Sequence, residues 1–224
     1  MPVQISATII TLNEEDNLER CIHSLKGIVD EIIIVDSGSQ DRTLEIAADC
    51  GARVFTRAWT NYSEQKNYAA SQASSDWILS LDADECLSLE LNGEIAELKA
   101  AGARADAYQF PRMAFYLGRW IKHSGWYPDY KVRLYQKNKA TWQGSFVHEA
   151  LFVNGTVGRL KGNLFHYTCN SLSEHLVRLD RYTTLAAQEL YSKGKSGSFF
   201  QLMFSPALTF VRTFLFKSGF RDGV

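Results

Sequence analysis

Residues 76–85 read DWILSLDADE, an apolar run that ends in three closely spaced carboxylates, and this stretch decides the fold. Within it, residues 77–81 (WILSL) show no alternation of polar and apolar side chains, which is typical of a strand buried on both faces of a sheet. Upstream, residues 5–10, 31–35 (EIIIV) and 53–55 have the same character. We therefore predict four short buried strands in the first part of the chain.

Helical patterns alternate with these strands. The predicted helices cover residues 16–26, 43–50, 63–74, 89–101 and 170–192. Strand–helix alternation of this kind predicts an α/β domain whose parallel sheet is covered on both faces. After residue 106, short segments rich in aromatic and basic residues (108–115, 131–135 and 160–166) predict mixed or antiparallel strands added to that sheet.

The formal net charge of -1 conceals a division of the chain into two oppositely charged parts. Residues 1–105 hold 18 acidic and 8 basic residues, for a net charge of -10, whereas residues 106–224 hold 7 and 16, for +9. A uniformly basic nucleic-acid-binding surface is therefore disfavoured, and we expect no nucleic-acid partner. We divide the chain at 105/106 and again at 170/171, where the C-terminal helical pattern begins.

Cysteine usage and the N-terminus both indicate the cytoplasm. The four cysteines are widely separated and show no metal-ligand spacing, which is typical of reduced thiols in a cytosolic protein. Residues 1–10 lack the basic region and the long apolar core of a secretory signal, so we expect none.

Polar clusters follow three of the predicted strands: residues 11–15 (TLNEE), 36–39 (DSGS) and 82–85 (DADE). The carboxyl ends of parallel strands meet at one edge of a sheet, so these carboxylates should lie close together. Like charges packed in this way are costly unless a cation neutralises them or water solvates them. Taken singly, DSGS is typical of a plain turn and NEE of charge at a helix N-terminus, but an Asp-x-Asp turn also suits Mg²⁺ or Mn²⁺ shared with a diphosphate.

In this order, the segments TIITLNEEDNL, EIIIVDSGSQDRT, QKNYAAS and DWILSLDADE resemble family 2 glycosyltransferases of GT-A fold. With WYPDYKVRLYQKNKATWQGSFVHEAL, the similarity covers about residues 5–185 and favours the subfamily of lipopolysaccharide-core β-1,4-glucosyltransferases. The resemblance implies a Rossmann-like, mostly parallel central sheet with flanking helices, followed by a C-terminal helical extension. It also implies an inverting, metal-dependent transfer of a sugar, glucose from UDP-glucose, to a lipopolysaccharide-core or similar cell-envelope acceptor.

The resemblance also assigns roles to the three parts of the chain. Residues 1–105 become the nucleotide-sugar-binding half, 106–170 the acceptor-side half of the same domain, and 171–224 the helical extension. It assigns nucleotide-sugar binding to Thr11, Asn13, Glu14, Asp36, Lys66 and Asp82, with Asp36 reading the base. For Lys66 an exposed helix lysine is the structural alternative.

The divalent metal is expected at the Asp-x-Asp turn. The resemblance implies that Asp82 and Asp84 meet the ribose and the metal-bound diphosphate, with Asp84 the more direct metal ligand. His166 is a candidate third ligand, although a lone histidine after an apolar run is more often a satisfied core residue.

Transfer to an acceptor hydroxyl needs a base that takes its proton. Glu149 is the first candidate, by its match to a downstream acidic residue of the family, and Asp129 is the second; a surface carboxylate is the alternative for Glu149. Arg133 is either a bidentate phosphate ligand or a surface residue. The acceptor-binding candidates are Trp126, Tyr127, Arg133 and His148, and Trp120, Tyr130 and Trp142 are further aromatic residues that either stack on sugars or belong to the core.

The tail from residue 193 combines apolar and basic residues. Residues 199–216 are mostly apolar but are interrupted by Gln201, Pro206 and Arg212. Burying Arg212 in a spanning helix would cost about 2.5–3.5 kcal/mol, so we predict an aromatic-rich interfacial helix on the inner face of the cytoplasmic membrane. A helical hairpin or an oligomer contact is the alternative. Related chains usually continue with another apolar segment.

Two other functions compete with this one. A polyprenyl-phosphate sugar synthase would share the fold. A phosphatase of the haloacid-dehalogenase type would also have an apolar strand before Asp-x-Asp, but it calls for Thr or Val where Cys86 stands, and it needs a later acidic pair that we do not find. A binding module without catalysis is a remote alternative. The chain lacks the glycine-rich signatures of dinucleotide and P-loop sites.

Overall fold

The computed structural model describes residues 3–144, 149–169, 171–195 and 197–223. These residues form two compact units. The first comprises Met1–Arg112 and Tyr130–His166, and the second comprises Met113–Asp129 and Tyr167–Val224. Because the units are defined by packing, the functional division of the chain at 105/106 and 170/171 stays a prediction.

The first unit is built on the predicted parallel sheet. Its strands are β1 (Ile5–Thr11), β2 (Glu31–Asp36), β3 (Arg53–Thr56) and β4 (Trp77–Asp82), in the order β3-β2-β1-β4 with parallel pairing throughout. The helices between them are α1 (Leu18–His23), α2 (Thr43–Asp49) and α3 (Tyr62–Ser71). The predicted strand–helix alternation is confirmed. Helix α1 is shorter than predicted because the chain turns after His23, with Ser24 as its C-cap.

Mixed pairing extends this sheet, as predicted. The remaining elements are β5 (Glu85–Leu87), α4 (Leu89–Ala101), β6 (Ala107–Tyr116), β7 (Arg119–Ile121), β8 (Asp129–Gln136), β9 (Ala140–Gln143), β10 (Ala150–Val153), β11 (Val157–Arg159) and β12 (Leu164–Cys169). From β4 the order continues β8-β6-β12-β5, with antiparallel β4–β8 and β12–β5 pairs. Strands β9 and β10 form a separate antiparallel pair.

Strand β2 shows why residues 32–35 (IIIV) are all apolar. Ile34 belongs to one buried cluster, together with Leu18 of α1 and Leu91 of α4. The adjacent Ile33 belongs to a second buried cluster that contains Ala69 of α3. Successive side chains of a strand point to opposite faces, so the sheet is covered on both sides, and the small residues of α3 let that helix approach closely.

The second unit holds the C-terminal helices α5 (Leu172–Ser192) and α6 (Phe199–Phe210), a π-helix (Val211–Phe216) and a 3-10 helix (Gly219–Asp222). Asp222 accepts hydrogen bonds from the backbone N–H groups of Lys122 and His123. Among the described residues, Phe199–Phe216 is the one helical segment long and apolar enough to cross a membrane, judged by length and composition. Neither of the two helices that make up this segment has a buried residue.

Candidate active site

The loops after β1 and β2 are joined through the carboxylate of Asp36. Asp36 is fully buried; its Oδ1 accepts a hydrogen bond from Thr11 Oγ1 at 2.9 Å, and its Oδ2 accepts from the N–H groups of Gly38 and Ser39, both at 2.8 Å. A carboxylate that bonds the backbone two and three residues ahead builds the turn itself. Asp36 therefore shapes the loop, and its role in reading a nucleotide base stays a prediction.

Asn13 and Glu14 connect the same two loops. Asn13 adopts a left-handed backbone (φ 55°), its N–H donates to Ser39 Oγ at 2.8 Å, and its side-chain oxygen accepts from Gln40 N–H at 2.9 Å. The N–H of Glu14 donates to Thr43 Oγ1 at 2.7 Å. Asparagine is among the few residues that tolerate this backbone conformation, so the backbone conformation of residue 13 is a reason for asparagine at this position.

Lys66 brings together three of the predicted site residues. Its ammonium Nζ lies 2.8 Å from Asp82 Oδ1 and 3.2 Å from Glu149 Oε1. The Lys66 side chain is only 2% exposed, so the alternative of an exposed helix lysine is wrong. The first aspartate of the Asp-x-Asp turn and the candidate base are thus linked through one buried cation.

Arg133 forms the second buried cation of the cluster. Its Nη2 donates to Asp82 Oδ2 at 2.5 Å and to Glu85 Oε1 at 2.7 Å. Glu85 has a fully buried side chain, and its Oε2 accepts the Asp82 N–H at 3.1 Å. The alternative that Arg133 is a surface residue is wrong. Its guanidinium is engaged by protein carboxylates, and its predicted role in acceptor binding stays a prediction.

The charges in this cluster stabilise one another. Burial raises the pKa of Asp82, but the nearby Arg133 and Lys66 outweigh it and hold that pKa below its ordinary value. Burial lowers the pKa of Arg133, but Asp82 and Glu85 outweigh it and raise that pKa. The cation that crowded carboxylates require is therefore supplied, at Asp82, by the protein's own side chains.

Trp142 covers both buried cations. Lys66 Nζ lies 4.4 Å and Arg133 Cζ 5.5 Å from its ring centroid, within the range of cation–π attraction. Its Nε1 donates to Tyr135 Oη at 3.2 Å, and burial raises the pKa of Tyr135 to about 12. Because Trp142 is 6% exposed, it is a core residue packed against the two cations and not part of an open sugar-stacking face.

Asp84 and His166 meet on the other side of the Asp-x-Asp turn. Pairing of β5 with β12 places His166 opposite Glu85, and His166 Nε2 lies 3.2 Å from Asp84 Oδ2. Within the described parts of the chain, no group of three or more His, Cys, Asp or Glu side chains is arranged to hold a metal ion. Mg²⁺ commonly uses one or two carboxylates together with substrate phosphates, and this pair fits such a site. The metal roles of Asp82, Asp84 and His166 stay predictions.

The remaining candidates belong to the second unit or lie outside the described residues. Asp129, the first residue of β8, belongs to the second unit, as do Trp126 and Tyr127. Trp126 is 43% exposed and packs on Tyr116 with ring centroids 5.5 Å apart. His148 lies outside the described residues. The predicted roles of all four candidates remain untested.

Sequence reasoning missed three polar residues that shape the site: Glu85, Gln65 and Asn67. Gln65 Nε2 donates to Ser37 Oγ at 3.0 Å, and the Asn67 carboxamide bonds both backbone groups of Trp142. Gln65 is fully buried although it is polar. The sequence signal for Gln65 and Asn67 is QKN itself, three consecutive polar residues in a helix packed on the sheet. The family resemblance assigns a role to Lys66 alone.

Residues 6–154, more than half of the chain, match the family model described as glycosyl transferase family 2. The chain belongs to this family. The predicted resemblance and enzyme class are confirmed, and the phosphatase alternative is excluded.

Relatives along nearly the whole chain are glycosyltransferases. One, an uncharacterised glycosyltransferase of Rickettsia typhi, is 35% identical over 98% of this chain and 79% of its own length. Another, the lipopolysaccharide core biosynthesis glycosyltransferase LpsC of Rhizobium meliloti, is 33% identical over 96% of this chain and 82% of its own.

Solved structures confirm the GT-A fold. Staphylococcus aureus TarS 1–349 in complex with UDP-GlcNAc has a TM-score of 0.57 at 16% identity, covering 78% of this chain and 61% of that one. Glucosyl-3-phosphoglycerate synthase of Mycobacterium tuberculosis, in complex with Mn²⁺, UDP and glucosyl-3-phosphoglycerate, has a TM-score of 0.51 at 18% identity, covering 88% and 82%.

Proposed function

We propose that this family 2 glycosyltransferase is inverting and metal-dependent, and that it moves glucose from UDP-glucose to a lipopolysaccharide-core or similar cell-envelope acceptor. One observation carries the proposal. Lys66 joins Asp82, of the turn expected to meet the donor, to Glu149, the candidate base, at 2.8 and 3.2 Å. Donor binding and proton removal are thereby assigned to adjacent side chains.

The donor side rests on the loops held by Asp36 and on the Asp-x-Asp turn. Asp84 and His166, 3.2 Å apart, would hold the divalent ion, since Asp82 is already bonded to Lys66 and Arg133. When bound, such an ion neutralises charge that develops on the departing diphosphate. Solved neighbours bind UDP-GlcNAc in one case and UDP with Mn²⁺ in another, which supports a UDP-sugar donor.

On the acceptor side, Glu149 takes the proton of the attacking hydroxyl. The acceptor oxygen then forms a bond to the anomeric carbon as the bond to the diphosphate breaks, and a single displacement of this kind inverts the anomeric configuration. The Lys66 ammonium, 3.2 Å from Glu149 Oε1 and 2.8 Å from Asp82 Oδ1, holds the Glu149 carboxylate beside Asp82. Asp129 is the second candidate for this role.

The exposed C-terminal helix supports a membrane-bound acceptor. Residues 193–224 contain five basic residues and one acidic residue, Asp222, which is bonded to His123. Phe200, Phe204 and Phe210 are each more than half exposed. An aromatic apolar helix flanked by basic residues fits the surface of an anionic bilayer. We therefore assign the protein to the inner face of the cytoplasmic membrane, and LpsC, named for lipopolysaccharide core biosynthesis, supports the acceptor class.

Donor choice is tested by titrating the whole chain with UDP-, GDP- and CMP-sugars, with and without Mn²⁺, in a calorimeter. We expect Mn²⁺-dependent binding of UDP-glucose and its transfer to core-truncated lipopolysaccharide. Equal UDP-glucose affinity with and without Mn²⁺, or no binding of any nucleotide sugar, would contradict the proposal. Transfer to polyprenyl phosphate in place of lipopolysaccharide would establish the synthase alternative.

Membrane attachment is tested by flotation with vesicles of phosphatidylcholine alone or mixed with phosphatidylglycerol. We expect binding to the anionic vesicles and its loss in Phe204→Glu, within the apolar helix. Phe152→Glu is the matched control, because Phe152 is equally exposed (61%, against 58% for Phe204) but lies on β10. Equal flotation of all three proteins would exclude this helix as the attachment site.

A further inference from the structure

Three consecutive side chains of α3 contact three separate parts of the site. Gln65 donates to Ser37 in the loop after β2, at 3.0 Å. Lys66 lies between Asp82 and Glu149. Asn67 contacts strand β9, which precedes Glu149 in the chain. The first two contacts concern the donor loops and the candidate base directly. The hydrogen bonds of Asn67 go to β9, two to the backbone of Trp142 and one from the Thr141 hydroxyl.

Asn67 occupies the free edge of β9. Its Nδ2 donates to the Trp142 carbonyl at 2.8 Å, and its Oδ1 accepts the Trp142 N–H at 2.9 Å. In the antiparallel β9–β10 pair, Trp142 stands opposite Leu151. Since both backbone groups of Trp142 bond to Asn67, they point away from β10, and the carboxamide replaces a third strand there. Ser63 adds a second connection, donating to the Gly144 carbonyl at 2.9 Å.

The β9–β10 pair carries the candidate base. Ala150, the first residue of β10, pairs with Gln143 at the end of β9, and Glu149 directly precedes it. A two-stranded sheet is marginally stable by itself, so its position depends on what holds its edges. The position of the Glu149 backbone therefore follows the hydrogen bonds that fix β9 to α3.

We propose that Asn67 is a positioning residue for sugar transfer: it fixes the β9–β10 pair to α3 and thereby holds Glu149 beside Lys66 and Asp82. The inference rests on the proposed function, in which Glu149 takes the acceptor proton. The hydrogen bonds of the Asn67 side chain go to Trp142 and Thr141 of β9 and not to the candidate base itself. A misplacement of about 1 Å in a reacting group lowers rates by up to about 100-fold, so loosening this connection should slow transfer without weakening donor binding.

The test compares Asn67→Ala and Asn67→Ser with Thr141→Val in the whole chain. Thr141, a β9 neighbour whose Oγ1 lies 3.4 Å from Asn67 Oδ1, is the matched control because its substitution leaves both backbone bonds of Trp142 intact. For Asn67→Ala we expect kcat for transfer from UDP-glucose to core-truncated lipopolysaccharide to fall about 10- to 100-fold. The Kd for UDP with Mn²⁺ should stay within about twofold, and the Trp142 amide should exchange hydrogen faster. The kcat of Asn67→Ser should lie between those of Asn67→Ala and the wild type, and the kcat of Thr141→Val should equal that of the wild type.

Wild-type kcat in Asn67→Ala, or equal losses in kcat and in UDP affinity, would overturn the role of Asn67. Should Asn67→Ala fail to fold, the kcat and Kd of Asn67→Ser decide by the same criteria. These results are distinct from failure of the proposed function, which would appear as a wild-type chain that neither binds UDP-glucose nor transfers glucose; that result would overturn both proposals.

Discussion

Lys66 Nζ lies 2.8 Å from Asp82 Oδ1 while the same ammonium lies 3.2 Å from Glu149 Oε1. One buried cation thus serves a carboxylate at the end of β4 and a second one 67 residues further along the chain. Removing Lys66 affects Asp82 and Glu149, whereas Arg133 pairs with Asp82 and Glu85. The two cations of the cluster are therefore not interchangeable, and their substitutions should have different consequences.

Lys66→Met should destabilise the fold and abolish transfer. The substitution keeps the aliphatic stem but removes the charge shared by two carboxylates. Loss of one partner of a fully buried pair costs about 3–5 kcal/mol; because Asp82 is 28% exposed, we expect about 2 kcal/mol, measured by urea denaturation. Lys66→Arg, which keeps the charge, should lose less. Unchanged stability in Lys66→Met would show that the ammonium is not needed by either carboxylate.

Arg133→Met should cost more than Lys66→Met, because it leaves the fully buried Glu85 with a weaker cationic partner, Arg112 at 3.4 Å. We expect a loss of about 3–5 kcal/mol. Combining it with Glu85→Leu removes the uncompensated charge, so the double variant should be more stable than Arg133→Met alone. Strictly additive losses in the denaturation curves would refute coupling between the two residues.

Glu149→Gln should separate binding from transfer. The amide keeps the size of the side chain but cannot take a proton, and general bases contribute about 100- to 10,000-fold to rates. We expect a loss of kcat in that range, with UDP-glucose affinity retained in calorimetry. Asp129→Asn is the control, because Asp129 is the second candidate base; if it loses transfer and Glu149→Gln does not, the two assignments are reversed.

The parallel part of the fold was predictable because its signals are local. EIIIV and WILSL are apolar apart from Glu31 and Ser80, and both faces of β2 are indeed covered, with Ile33 and Ile34 in different clusters. The strand-end position of Asp36 and Asp82 follows from topology alone. Local sequence patterns do not identify the oppositely charged partner of each side chain, because partners such as Asp82 and Arg133 are 51 residues apart.

The buried cluster shows this limit most clearly. Glu85 stands in the quoted DADE turn, yet its complete burial depends on Arg133, whose strand β8 pairs antiparallel with β4. A lysine on a helix is usually exposed. Lys66 is buried because α3 packs against β9, where the ring centroid of Trp142 lies 4.4 Å from the Lys66 ammonium. From the sequence, Trp142 is either a core residue or a sugar-stacking residue, because its neighbours in the chain do not show which residues cover its ring.

Asp84→Ala should remove metal-dependent donor binding. Asp84 and His166 form the candidate ligand pair, and loss of the carboxylate leaves the imidazole of His166 as the one remaining ligand of the pair. We expect Mn²⁺ affinity in the presence of UDP, measured by electron paramagnetic resonance, to fall at least about 10-fold. Glu90→Gln, on the exposed first turn of α4, is the control and should bind Mn²⁺ like the wild type. Unaltered Mn²⁺ binding by Asp84→Ala would exclude this pair as the metal site.

Glu31→Gln should destabilise the fold at neutral pH but not in acid. Burial raises the pKa of Glu31, but hydrogen bonds from Ser6, Ser74 and Arg53 outweigh it and lower the pKa from 4.5 to about 2. A carboxyl with a depressed folded-state pKa stabilises the fold above its unfolded pKa, and the stabilisation is lost as the pH falls from about 4.5 to about 2. We expect about 1–2 kcal/mol at pH 7, vanishing across that window, in urea denaturation at several pH values. The control Glu45→Gln removes an exposed pair with Arg42 and should leave the stability close to that of the wild type at every pH, because exposed ion pairs contribute little. A difference between Glu31→Gln and the wild type that persists unchanged at pH 2 would show that the carboxylate charge is not the stabilising feature.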